Sequence, residues 1–167
     1  MNTFTRLLQH FSTTSFAGKK TFPLKTLKTI EQEIAQGERR HRAEVKLIIE
    51  PALPLFAVLQ GMSPRERARE LFAHYRVWDT EENCGVLVYV NLADRKLEIV
   101  ADRGVGKTVA ANHWHAICRM LTKGFAEDDF HDSTIAALAQ LNGLLEQHYP
   151  NGDSATVNEL PDKPIVL

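Results

Sequence analysis

Residues 85–101 read GVLVYVNLADRKLEIVA. Gly85–Asn91 is apolar at successive positions, the pattern of a central strand covered on both faces. Lys96–Ala101 alternates, with Leu97 and Ile99 on the inward side. Leu92-Ala93-Asp94-Arg95 between them is short enough for a hairpin turn, so the two strands are antiparallel. Upstream, Ala43–Glu50 (AEVKLIIE) alternates as a third strand and is ended by Pro51 and Pro54. Between that strand and Gly85 lies Ser63-Pro64-Arg65-Glu66, a capping box with proline at the first helical position. Ala68, Leu71, Phe72 and Tyr75 follow at helical spacing. A parallel strand–helix–strand unit joined to an antiparallel hairpin predicts an α/β fold, with a mixed central sheet sandwiched between helices.

Outward from this centre the signals are helical. Phe4, Leu7, Leu8 and Phe11 fall at i, i+3, i+4 and i+7, one face of a helix over Thr3–Phe11. Further helices are predicted over Pro23–Gln36, Thr108–Lys123 and Asp132–Tyr149. Ser12–Lys20 reads as a polar break, and the Gly- and Pro-containing stretch from Pro150 as a flexible tail. The expected organisation is an N-terminal helix and linker over 1–20, an α/β domain over 21–150 and a tail over 151–167.

At 167 residues, 44% hydrophobic and 25% charged, the composition fits one globular domain and excludes collagen, coiled coil and wholesale disorder. The net charge of −1 supplies no global field for nucleic acid. The charge is uneven: residues 1–46 carry 9 Lys/Arg and 4 Asp/Glu, and residues 47–167 carry 11 and 17. That asymmetry leaves two readings, a solvated basic helix on an acidic body or a basic surface for a protein or membrane-associated partner. Cys84 and Cys118 make no disulfide framework, and both read as buried thiols. No signal peptide or transmembrane segment is expected, because the longest apolar stretch, 47–62, is interrupted and shorter than the ~20 residues of a span. A soluble cytoplasmic chain is the simplest expectation, with peripheral membrane association as the alternative.

Two stretches carry candidate chemistry. Residues 101–108 (ADRGVGKT) resemble a phosphate-binding loop between a strand and a helix, with Lys107 and Thr108 as the phosphate and magnesium contacts. Against it, Ala101 stands in place of the first glycine, and the preceding strand is the return arm of a hairpin. The expectation is a glycine-rich connection with Lys107 in solvent and no nucleotide hydrolysis. The second stretch is acidic. Asp79, Glu81, Glu82 and Asn83 precede the central strand, and Asp102 follows the next one. In an antiparallel hairpin the start of one strand and the end of the other share an end of the sheet, so these oxygens converge there. Asp79, Glu82, Asn83 and Asp102 are the candidate metal ligands, and such hard oxygens suit calcium. His113 and His115 project to opposite sides of a helix and are not expected to share a metal.

The run Tyr75–Val105 resembles the centre of the TPM domain family, which includes thylakoid-lumen proteins linked to photosystem II repair and many bacterial proteins. The resemblance rests on Asp79-Thr80, on Asn83 and Gly85-Val86-Leu87, on Asp94-Arg95, and on Glu98-Ile99 leading to Asp102-Arg103-Gly104. It extends over about residues 22–150 through Trp114 and the Phe125…Phe130 segment. It implies a mixed sheet between helices and, for some members, calcium binding and weak metal-dependent acid phosphatase activity. Bacterial members often carry a signal peptide and a membrane anchor, and neither is read in this sequence. Asp79, Asn83 and Asp102 are the positions that the resemblance carries over as ion-site or phosphatase-site residues. The expected function is an ion-stabilised binding or interaction module, with a weak metal-dependent acid phosphatase as the alternative and nucleotide binding at 101–108 ranked behind both.

Overall fold

The computed structural model describes residues 3–152 and 157–167. Its sheet has four strands in the order β3-β2-β1-β4, formed by β1 (Glu44–Glu50), β2 (Gly85–Asn91), β3 (Lys96–Ala101) and β4 (Ile165–Val166). β1 and β2 are parallel, with Leu47 opposite Val88; β2 and β3 are antiparallel, with Val88 opposite Ile99. The fold is thus mixed α/β, as the strand–helix–strand unit and the hairpin require.

Helices cover both faces. Val45, Leu47, Ile49, Val86, Val88, Val90, Leu97 and Ile99 point to one core, where they meet α3 (Leu24–Glu38), α7 (Ala111–Ala126) and α8 (Phe130–His148). Ile48, Leu87, Tyr89 and Val100 point the other way, to Ala68 and Leu71 of α5 (Pro64–His74). Both faces of β2 are therefore buried, which is why its sequence is apolar from Val86 to Val90. The predicted capping box starts α5: Ser63 accepts from the Glu66 amide, and Glu66 accepts from the Ser63 amide at 2.7 Å.

The structure departs from the sequence reading in four places. The polar break Ser12–Lys20 contains α2 (Ser15–Thr21), capped by Thr14, whose hydroxyl accepts from Ala17 N. The glycine-rich connection after β3 winds into α6 (Arg103–Thr108) with Asp102 as its N-cap. A short helix, α4 (Leu55–Leu59), follows Pro54. Residues 157–167, expected as part of a flexible tail, return to the sheet: β4 pairs with Ile48 and Ile49, and Leu160 is buried. Polar partners on β1 hold this segment, a long-range effect with no local signature; residues 153–156 of the same expected tail lie outside the described residues.

α1 (Thr3–Ser12) forms where the spacing predicts a helix, and the contacts of its other face set its orientation. Its apolar face turns outward: Phe4, Leu8 and Phe11 are 67%, 54% and 73% exposed. The face that docks carries Arg6 and His10. Arg6 donates two hydrogen bonds to Asp94, at 2.9 and 2.7 Å, and Leu53 N donates to His10 Nδ1 at 2.9 Å. A buried carboxylate needs paired donors more than a leucine needs cover, so the ion pair selects the face.

Candidate functional site

The acidic end of the sheet is built where β1 and β2 begin and β3 ends. Two glycines permit the close approach. A Cβ on Gly85 would overlap the Val77 carbonyl, and one on Gly104 would lie 2.6 Å from Asn83 O. Gly104 N donates to Asn83 O at 3.0 Å and Asp102 N to Gly85 O at 2.9 Å, so Asp102 is brought against the 82–85 turn.

The four predicted ligands take separate roles within that shared end. Asp102 is buried; its Oδ1 accepts from Arg103 N at 2.7 Å, while its Oδ2 is buried without a partner. Asn83 sits in the left-handed region at φ 53°, which asparagine tolerates better than other side chains. Glu82 accepts from Arg42 at 2.5 Å. Asp79 is exposed and faces Arg76 at 3.8 Å. Among the described residues no group of three or more His, Cys, Asp or Glu side chains is placed to hold a metal ion.

Residues that the sequence reading left out complete this end. A cavity of about 420 Å³ opens between Glu38, Arg39, Glu44, Asn151, Asn158 and Asp162. Glu38 Oε1 accepts from Val45 N at 2.7 Å, and its Oε2 is buried without a partner. Burial pushes this carboxyl up to about 9, so it keeps its proton at neutral pH. Burial also raises Glu44, whose Oε2 accepts from Leu160 N at 2.9 Å. Lys46, held below its ordinary value by burial, donates to Pro161 O and Lys163 O at 2.5 and 3.0 Å. Alternation along β1 marks Glu44 and Lys46 as off the main core but carries no sign of the C-terminal segment that buries them.

The phosphate-loop stretch offers no cradle of free amides. Gly104 N is bonded to Asn83 O, Gly106 N to Asp102 O and Val109 N to Val105 O. Thr108 Oγ1 donates back to Gly104 O at 3.0 Å, and Lys107 stands in solvent.

The opposite end of the sheet, where β1 and β2 finish, has a different surface. His10 meets Leu53, Gly18 abuts Pro51, and α1 packs on α4, so α1, α2 and α4 gather there. Leu8 and Phe11, Phe16 of α2, and Phe56 and Leu59 of α4 are all more than half exposed. Leu24, at the start of α3, is 78% exposed. The helical spacing of residues 4–11 signals an apolar face; only the contacts of Asp94 and Leu53 reveal that it looks outward.

The TPM domain family matches this chain over residues 18–144. The NMR structure of BA42 protein from the psychrophilic bacterium Bizionia argentinensis superposes with a TM-score of 0.75 at 20% identity, covering 85% of this chain and 92% of that one. No curated protein matches the sequence.

Proposed function

The chain belongs to the TPM domain family, and from that premise we propose that it works as an interaction module whose docking end is formed by α1, α2 and α4. One observation carries the reading: large apolar side chains are held outward there by a buried polar latch, Arg6 and His10 on Asp94. Exposed apolar clusters of this kind mark binding surfaces. A second reading, an ion-stabilised domain with weak phosphatase activity, is favoured by the unpartnered buried oxygen of Asp102.

One set of measurements separates the two. Folded wild type should bind the apolar probe anilinonaphthalene sulfonate, and Phe11→Ser with Phe56→Ser should lose most of that binding at an unchanged melting temperature. With calcium or magnesium present, p-nitrophenyl phosphate should not be hydrolysed, and the melting temperatures of wild type and Asp102→Asn should respond alike to calcium. Turnover lost in Asp102→Asn would make the protein a phosphatase. A calcium shift confined to wild type would establish an ion at the acidic end, worth ~2.7 kcal/mol at 100 times the dissociation constant. Absence of probe binding to the folded chain would overturn the module reading.

A further inference from the structure

We infer that the α1–α2–α4 end docks onto an anionic bilayer surface. This rests on the interaction-module reading and names the partner of that same end. The argument begins with the apolar side chains. Leu8, Phe11, Phe16, Phe56 and Leu59 are exposed on short helices that gather at one end of the sheet, and Leu24 is exposed at the start of α3. Among the described residues no helix is long and apolar enough to cross a membrane, so a lipid contact made by these helices is interfacial.

Charge then selects the partner. The first 30 residues contain no Asp or Glu. Lys19 and Lys20 close α2, and Lys25 and Lys28 lie in the first turns of α3. All four are exposed, and among the described residues none of them is in an ion pair. Arg6, the remaining cation of this stretch, is neutralised by Asp94. Acidic groups come near α3 through His131, which is hydrogen-bonded to Thr26 at 3.0 Å. Asp128 pairs with Arg95, Asp129 caps α8, and Asp132 faces His131. Apolar side chains beside unpaired lysines suit the boundary between acyl chains and anionic headgroups. A second copy of the chain on the same face would set these lysines against their own counterparts, which disfavours a symmetric dimer.

The test is sedimentation of the full chain with vesicles of phosphatidylcholine alone or mixed equally with phosphatidylglycerol. Binding to the mixed vesicles should be at least about tenfold tighter, and it should weaken as salt is raised. Lys19→Glu with Lys20→Glu should reduce it by about tenfold or more, and Phe11→Ser with Phe16→Ser should do the same. Lys19→Gln with Lys20→Gln, a milder change at exposed positions, should give an intermediate loss with an unchanged melting temperature.

Equal binding to the two vesicle types, or none to either, would overturn the inference. A dimer in sedimentation velocity that Phe56→Ser dissolves would place a second copy on this face. Tighter binding of polyglutamate than of mixed vesicles would assign an acidic protein instead. In those last two outcomes the lipid inference falls and the module reading stands. If the folded chain also fails to bind the apolar probe, both fall.

Discussion

Glu38 shows how a single side chain can make the fold sensitive to pH. Its carboxyl ends α3, faces the polar cavity and carries a proton at neutral pH because burial pushes it up to about 9. An acid whose folded value is raised binds more protons folded than unfolded between its ordinary value near 4.5 and about 9. Its contribution is therefore fully present below pH 4.5 and is lost as the pH rises through that window. Glu38→Gln keeps the oxygen that accepts from Val45 N and removes the titration. The variant should be more stable than wild type at pH 8 by more than about 1 kcal/mol, and the difference should shrink toward pH 5. Urea denaturation at the two pH values checks this; a constant difference would mean that Glu38 is already ionised in the folded chain. The chemistry of this residue was not legible locally, since the sequence of Glu38–Arg42, ERRHR, has the composition of a charged turn and gives no sign that one acid is buried.

At the scale of the element, α1 is held by polar contacts rather than by its apolar stripe. Burial works to raise the Asp94 carboxyl, but hydrogen bonds from Arg6 and His10 outweigh it and hold the group below its ordinary value. The latch is therefore intact at neutral pH and weakens on acidification below the ordinary carboxylate range. Asp94→Ala leaves Arg6 and His10 facing a buried gap, at a cost of about 3 kcal/mol. Because no described α1 residue belongs to either apolar core cluster, that loss should fall on α1 itself. Hydrogen exchange should show the α1 amides losing protection while those of β2 keep theirs. Equal acceleration in both elements would show that α1 opens only when the whole domain unfolds. The helix was legible in residues 4–11, but its orientation was not, because Asp94 lies more than eighty residues away in the hairpin turn.

For the whole molecule, the sheet separates two unlike ends. Carboxylates and buried polar groups crowd the start of β1 and β2, while exposed apolar helices and unpaired lysines surround their finish. The C-terminal segment closes the acidic end. Deleting residues 157–167 removes β4, the Leu160 amide from Glu44 and both carbonyls from Lys46. Two buried charged groups lose their partners and β1 becomes an edge strand, so the truncated chain should lose at least about 3 kcal/mol. The urea midpoint should fall accordingly. An unchanged midpoint would mean that water replaces those contacts without loss.

The alternating and doubly apolar strands, the capping box of α5, the hairpin and the parallel crossover are written in the local sequence. Each of these depends on residues near one another in the chain, through side-chain period, proline position or loop length. The sequence also brought Asp102 to the same end of the sheet as the 82–85 turn, because an antiparallel hairpin joins those ends. Long-range contacts set which way α1 faces, where residues 165–166 pair and which acids at that end are buried. Those outcomes turn on Asp94, Glu44 and Lys46, polar groups whose desolvation is offset only by partners distant in sequence.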